Sequence, residues 1–217
     1  NSYSGTTTIG GTSTLRINGS QTGTGAVTVA ATGTLGGTGS IAGAVTNNGT
    51  LAPGNGGVGS LTVNNTLTMS PDSKLTWEIS DWNGAAGTGF DNATVAMLNL
   101  AATSTNPIVL KLNELSLANF SETSKTFTLV QATTITGFAA NQFVFDTTGL
   151  TTPQGTWAVQ QSGDSLMLVY TRHNTTPAFA SNPISMGAFK ETPFSGQLSA
   201  NDPDADETLT YTKVSGP

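Results

Sequence analysis

Between Thr6 and Ile79 the sequence is cut by glycine or asparagine into short runs: TTTI, STLRI, GAVTV, GTLGGTGSI, GAVTN, GTL, GSLTV, NTLTM and SKLTWEI. Apolar and polar residues alternate within them. Alternation over so few residues, bounded by turn formers and rich in β-branched Thr, Val and Ile, is the pattern of a half-buried strand. The runs also echo one another. Gly33-Thr34-Leu35 returns 16 positions on as Gly49-Thr50-Leu51, and Gly25-Ala26-Val27-Thr28 returns 18 positions on as Gly43-Ala44-Val45-Thr46. Offsets of that size suit a coil that lays each short strand on the one before it. A sandwich of hairpins is the competing arrangement, because Asn-Gly and Gly-Gly pairs also start hairpins. The shortness of the runs favours the coil.

The sequence therefore predicts an all-β fold in which residues 6–80 form parallel strands of three to six residues, stacked as a β-solenoid in coils of about 16 to 20 residues. Alternation places Val27, Val29, Leu35, Ile41, Val45, Leu51, Leu61, Val63, Leu67 and Met69 inside. The stretch GTLAPGNGGVGSLTV, residues 49–63, is too rich in glycine for a helix and is bracketed by Leu51 and Leu61. It reads as a corner, with Gly54, Gly56, Gly57 and Gly59 easing the backbone and Pro53 stiffening its start. Glu114–Glu122 is the one stretch with helical character.

Charge narrows the function classes. Only 9% of residues are Asp, Glu, Lys or Arg, against about 25% in a typical domain. Threonine and 26 glycines take their place. No apolar run approaches the roughly 20 residues of a membrane-spanning helix. A net charge of −6 and seven scattered basic residues exclude nucleic acid as the expected partner, since phosphates need clustered cations. The absence of cysteine removes disulfides, thiol catalysis and thiolate-bound zinc together. Arg16 is the only charged residue before Ser70. Half of the expected coil region thus lacks the carboxylates that acid–base chemistry would draw from stacked positions. The single histidine, His173, falls in the expected interdomain linker, which argues against a serine–histidine–acid arrangement.

The succession GTLGGTGSIAGAVTNNGTLAPGNGGVGSLTVNNTLTMSPDSKLTWEI, residues 33–79, resembles the passenger-associated strand repeat of autotransporters and related bacterial surface proteins. Leu51, Pro53, Gly54, Gly59, Leu61, Val63, Leu67, Leu75 and Glu78 stand where that pattern wants them. The resemblance implies that Phe90–Val95, Ile108–Leu112 and Thr126–Val130 continue the stack, that Trp157–Val159 and Ser165–Tyr170 close it, and that residues 1–171 are thus one right-handed parallel β-helix. The aromatics Trp77, Trp82, Phe90 and Trp157 then read as core or capping residues rather than a sugar-stacking platform. The glycine-rich DWNGAAGTGFD, residues 81–91, lacks the Lys-Ser/Thr and the helix of a phosphate loop and reads as a surface turn.

After Tyr170 the composition shifts. Residues 172–178 have linker chemistry, and residues 179–217 resemble the opening of a cadherin-like or immunoglobulin-like bacterial repeat. Phe179, Phe194, Gly196, Leu198, Asp202, Asp204, Asp206, Leu209 and Tyr211 carry that likeness. Such a sandwich needs about 100 residues, so the module reads as truncated and the chain as part of a longer exported protein. Alternate carboxylates at Asp202, Asp204 and Asp206 suit a hard cation, and the resemblance makes them a candidate calcium site in the full-length protein. The alternative is a solvated acidic turn. Ala205 stands where related modules often have glycine.

The resemblance implies a structural or adhesive module of a secreted or cell-surface bacterial protein, extracellular and without catalysis. Its expected partners are surface glycans, proteins of host or neighbouring cells, and flanking domains of its own chain. A carbohydrate-binding or carbohydrate-degrading β-helix is the alternative, and it requires stacked carboxylates or a row of aromatics on one face.

Overall fold

The computed structural model describes residues 1–179, 200–202, 204, 209 and 210. Two compact units divide the chain, Asn1–Arg172 and His173–Pro217. The first is all-β. In chain order its strands are β1 (Thr7–Ile9), β2 (Thr14–Arg16), β3 (Ser20–Gln21), β4 (Val27–Val29), β5 (Thr34–Gly37), β6 (Ser40–Ile41), β7 (Val45–Asn47) and β8 (Thr50–Pro53). Longer strands follow: β9 (Ser60–Met69), β10 (Lys74–Asp81), β11 (Asn92–Leu100), β12 (Ile108–Ala118) and β13 (Lys125–Thr136). The unit finishes with β14 (Phe143–Gly149), β15 (Thr156–Ser162) and β16 (Ser165–Thr171).

These strands visit two sheets in alternation. One runs β14-β12-β10-β8-β5-β2 and is parallel throughout. The other has ten strands, ordered β1-β4-β7-β9-β11-β13-β16-β15, with β3 and β6 pairing alongside and β6 joining β9. It too is parallel from β1 to β13. The expected hairpin alternative is thereby excluded for residues 7–149. Antiparallel pairing between strands of this unit appears only where β16 returns against β13 and β15 against β16. That hairpin occupies the segments expected to close the stack.

The sequence echoes are the strand register. Thr34 and Leu35 pair with Thr50 and Leu51, and Val27 and Thr28 with Val45 and Thr46. Like residues recur because each sits on the same inward or outward position of its neighbour. One inward column runs Leu15, Leu35, Leu51, Leu75, Leu110, Phe145, and another Thr7, Val27, Val45, Leu67, Leu98, Ile135. All ten inward positions expected from alternation are buried. Asn47 is the polar member of a core column. Its Nδ2 donates to Lys74 O at 3.3 Å and to Met69 Sδ at 3.6 Å, while its Oδ1 accepts from Gly49 N at 3.2 Å.

Three expectations need correction. The spacing between paired positions is 20 and 16 residues from Leu15 to Leu51, then grows to 24 at Leu75, beyond the range expected for residues 6–80, and to 35 at Leu110. The glycine-rich corner and the loop of residues 82–91 supply the extra chain. Strands also lengthen beyond six residues, because no glycine or proline interrupts Ser60–Met69 or Lys74–Asp81. The runs GSLTV and NTLTM fuse into β9, with an extra residue bulged at the exposed Asn64-Asn65. Finally, Glu114–Ala118 is strand, not helix: β12 runs to Ala118, and the only helical turn among the described residues is Ala140–Gln142. Pairing with β10, where Ile79 meets Glu114, overrides the local helix propensity.

No helix among the described residues is long and apolar enough to cross a membrane. In the second unit β17 (Ala178–Phe179) pairs antiparallel with β18 (Ala200–Asn201).

Candidate functional site

The corner between β8 and β9 lies beside Arg16, Glu78 and Asp91. Gly54 and Gly56 have φ of 95° and 87°, where a side chain is strained. Gly59 has an ordinary φ, but a β-carbon there would lie 2.6 Å from Gly54 Cα, so close backbone approach fixes that glycine. Gly57 is bound by neither constraint: its φ is not positive, and the space where a β-carbon would stand is open to 4 Å. The expectation that all four glycines relieve φ thus holds for two.

Beside this corner, on the outer face of the six-stranded sheet, Gly36 and Ala52 leave a shallow notch next to Arg16. Arg16, Glu78, Gly54 and Gly56 complete a cleft of about 80 Å³. Burial raises the Glu78 carboxyl above its ordinary range, and the Arg16 charge partly offsets this. Behind lies Asp91, 1% exposed. Its Oδ1 accepts from Gly59 N at 2.7 Å and its Oδ2 from Glu78 N at 3.0 Å. Burial pushes this carboxyl up to about 8, with the Glu78 charge adding and the two amides opposing. Sequence reasoning missed the pairing of Glu78 with Asp91. The sequence signal available was weak: Asp91 follows Phe90 at the end of a glycine-rich turn, directly before the alternating run of β11.

The four aromatics that stand far apart in sequence meet in one buried cluster. Trp77 lies 6.0 Å from both Phe90 and Trp157, and Trp82 lies 6.5 Å from Trp157. Phe127 is the hub, within 5.1–5.2 Å of Trp77, Trp82 and Phe90. Trp77, Trp82 and Phe90 are buried, so these rings are core and present no sugar-binding row. Tyr170 joins them at 5.2 Å from Trp82. Its hydroxyl accepts from Gly155 N at 2.7 Å and donates to Glu122 Oε1. Desolvation, then Glu122, raises the phenol to about 12. Residues 81–91 are a turn as expected, yet Trp82, Phe90 and Asp91 within it point inward.

Other carboxylates of the first unit serve as local ties. Burial would raise Glu114, but four hydrogen bonds from the amides and hydroxyls of Thr151 and Thr152 outweigh it and hold the carboxyl below its usual range. Asp81 is lowered by Asn119 Nδ2, which donates to it at 2.9 Å.

In the second unit Asp202 Oδ1 accepts from Asp204 N at 3.0 Å, and Asp204 Oδ2 accepts from Thr175 N. Asp206 lies outside the described residues, as do Phe194, Gly196, Leu198 and Tyr211. His173 Nδ1 is 3.4 Å from Thr175 Oγ1. Among the described residues no three His, Cys, Asp or Glu side chains cluster as a metal site would require. Asp202 and Asp204 each have an oxygen engaged by backbone, whereas calcium takes about six to eight oxygen ligands. No protein-family model matches the chain, and no curated protein matches it.

Proposed function

We propose that residues 1–171 are a right-handed parallel β-helix that serves as a structural or adhesive module of a secreted or cell-surface bacterial protein. The observation that carries this reading is the in-register stacking of like residues, Leu15 on Leu35 on Leu51 on Leu75, through strands that alternate between two parallel sheets. Parallel strands joined by crossovers are right-handed in about 98% of cases, which supports the handedness. Stacking of this kind pairs backbone groups coil by coil and adds surface without adding chemistry. Residues 179–217 are the start of a cadherin-like or immunoglobulin-like repeat, with Asp202, Asp204 and Asp206 contributing to calcium binding in the full-length protein. The partners are surface glycans, proteins of neighbouring cells and flanking domains of the same chain.

A carbohydrate-active reading has one observation in its favour, the Arg16–Glu78 cleft. Its volume of about 80 Å³ falls well short of the roughly 300–1,000 Å³ of ligand pockets. Incubation with pectins, alginates and other polysaccharides, read by reducing-end and unsaturated-product assays beside a glycan array, separates the two. Glycan or cell-surface binding without turnover is expected. Reproducible turnover lost in Glu78→Gln would overturn the structural reading.

A further inference from the structure

Asn-Gly occurs in the chain as Asn18-Gly19, Asn48-Gly49, Asn55-Gly56 and Asn83-Gly84. The pair has a chemistry beyond its use in turns. The backbone nitrogen of the second residue can attack the asparagine side-chain carbonyl carbon, and glycine leaves that nitrogen unhindered because it has no β-carbon. Attack needs the nitrogen free and the side chain able to swing onto it, so hydrogen bonds to either group hold the pair back.

All but one of these pairs are held. Gly49 N donates to Asn47 Oδ1 at 3.2 Å, and Asn48 Nδ2 to Val29 O at 3.2 Å. Gly84 N donates to Asp81 O at 3.1 Å, while Asn83 Oδ1 accepts from Lys125 Nζ at 2.8 Å. Asn18 Oδ1 accepts from Thr38 N at 3.2 Å, and the next coil closes over Gly19, so that a β-carbon at Gly39 would lie 2.7 Å from Gly19 N. Asn55-Gly56 differs on each count. Both residues are exposed, and the space where a β-carbon of Gly56 would stand is empty to 4 Å. Among the described residues no hydrogen bond engages the Asn55 side chain or Gly56 N.

We propose that Asn55 is a self-modifying site, converted through a cyclic imide with Gly56 into aspartate and isoaspartate ahead of every other Asn-Gly pair of the folded chain. Gly56 N bonds to Asn55 Cγ, the Cγ–Nδ2 bond breaks, and Nδ2 leaves as ammonia with the proton lost from Gly56 N. Water then opens the ring, at Cγ to give aspartate or at the main-chain carbonyl to give isoaspartate. The place of the product gives it consequence. Gly54 and Gly56 both line the cleft of Arg16 and Glu78, so a new carboxylate arises beside the only charged residue that precedes Ser70. The isoaspartyl form also lengthens the main chain by one carbon within a turn that already presses Gly54 on Gly57, where a β-carbon on Gly54 would lie 1.9 Å from Gly57 O.

The test ages the purified protein in mildly alkaline buffer, folded and in parallel in concentrated guanidinium chloride, and follows each Asn-Gly pair by peptide mapping and mass spectrometry. In the folded chain Asn55 should convert about tenfold or more faster than Asn18, Asn48 and Asn83, whose reaction waits on local opening. In denaturant the rates should converge, because the dipeptide chemistry is the same. Asn55→Gln, at an exposed position, should remove the first acidic isoform resolved by ion exchange. The proposal is overturned by an Asn55 that stays intact in the folded protein while the denatured sample converts, or by another pair converting as fast. A rank order unchanged by denaturant, or an early acidic isoform that survives in Asn55→Gln, overturns it equally.

Discussion

Leu51 offers the sharpest check on the stacked core. It is fully buried and pairs with Leu35 on one side and Leu75 on the other. Leu51→Ala removes three carbon groups, a transfer loss of about 2.4 kcal/mol at about 0.8 kcal/mol per buried methylene. The paired rungs on both sides restrict collapse, so a residual cavity adds about 1 kcal/mol. The expected cost is about 3 to 4 kcal/mol, within the usual range for buried leucine. For a unit of this size that corresponds to a fall in melting temperature of about 2–4 °C per kcal/mol. Leu15→Ala is the internal control. Leu15 heads the same column but is only partly buried, so about half the transfer loss and little cavity term are expected, roughly 1 kcal/mol. Urea and thermal melts should be followed both by far-ultraviolet circular dichroism and by tryptophan fluorescence. The three tryptophans, Trp77, Trp82 and Trp157, all lie beyond Leu51 in the chain. In a stack coupled mainly between neighbours, damage at Leu51 should separate the two probes, with dichroism lost first. Equal midpoints for Leu51→Ala and Leu15→Ala would refute the column argument, whatever the absolute values.

The corner glycines should divide by geometry. Gly54→Ala and Gly56→Ala are expected to cost about 1 kcal/mol or more in urea melts, with Gly54→Ala the worse because its β-carbon would lie 1.9 Å from Gly57 O; Gly57→Ala should be nearly neutral. Tyr170→Phe leaves Gly155 N and Glu122 without their shared partner and should destabilise by about 1–3 kcal/mol. An unchanged fluorescence melt would show those bonds to be idle. Calcium binding at the second unit, as proposed, should raise the melting temperature when calcium is added to the protein. The triple change of Asp202, Asp204 and Asp206 to Asn should abolish that rise, and an identical rise with and without the change would remove these residues as ligands.

The parts of the fold that repeat were readable, because repetition in sequence and register in space are the same fact. Thr34 on Thr50 and Val27 on Val45 could be taken directly from the echoed tripeptide and tetrapeptide. Beyond Leu61 no echo remains, and legibility falls with it. The aromatic cluster gathers Trp77, Trp82, Phe90, Phe127, Trp157 and Tyr170 from positions with no common spacing, joined only by the increasingly separated strands of the two sheets and the final hairpin. Glu114–Ala118 misled because a Glu-Leu-Ser-Leu sequence suits a helix in isolation, and only the neighbouring strand dictates otherwise. Asp91 was hidden for a related reason. Acids beside glycine-rich turns normally face water, and one of the amides that satisfies its carboxyl, Gly59 N, is 32 positions away.

The unequal spacing between paired strands has an evolutionary consequence. From Leu15 to Leu51 each turn is a short cassette whose outward residues are mainly Thr, Gly or Ala and whose inward residues repeat. Unequal crossing-over within such a gene segment would insert or delete whole cassettes and leave every remaining pairing intact. From β9 onward the turns differ in circumference and share one set of interlocking rings, so a duplicated turn there would meet neighbours of the wrong size. Relatives of this chain should therefore vary in copy number before residue 51 and remain constant in length from residue 60 to residue 171.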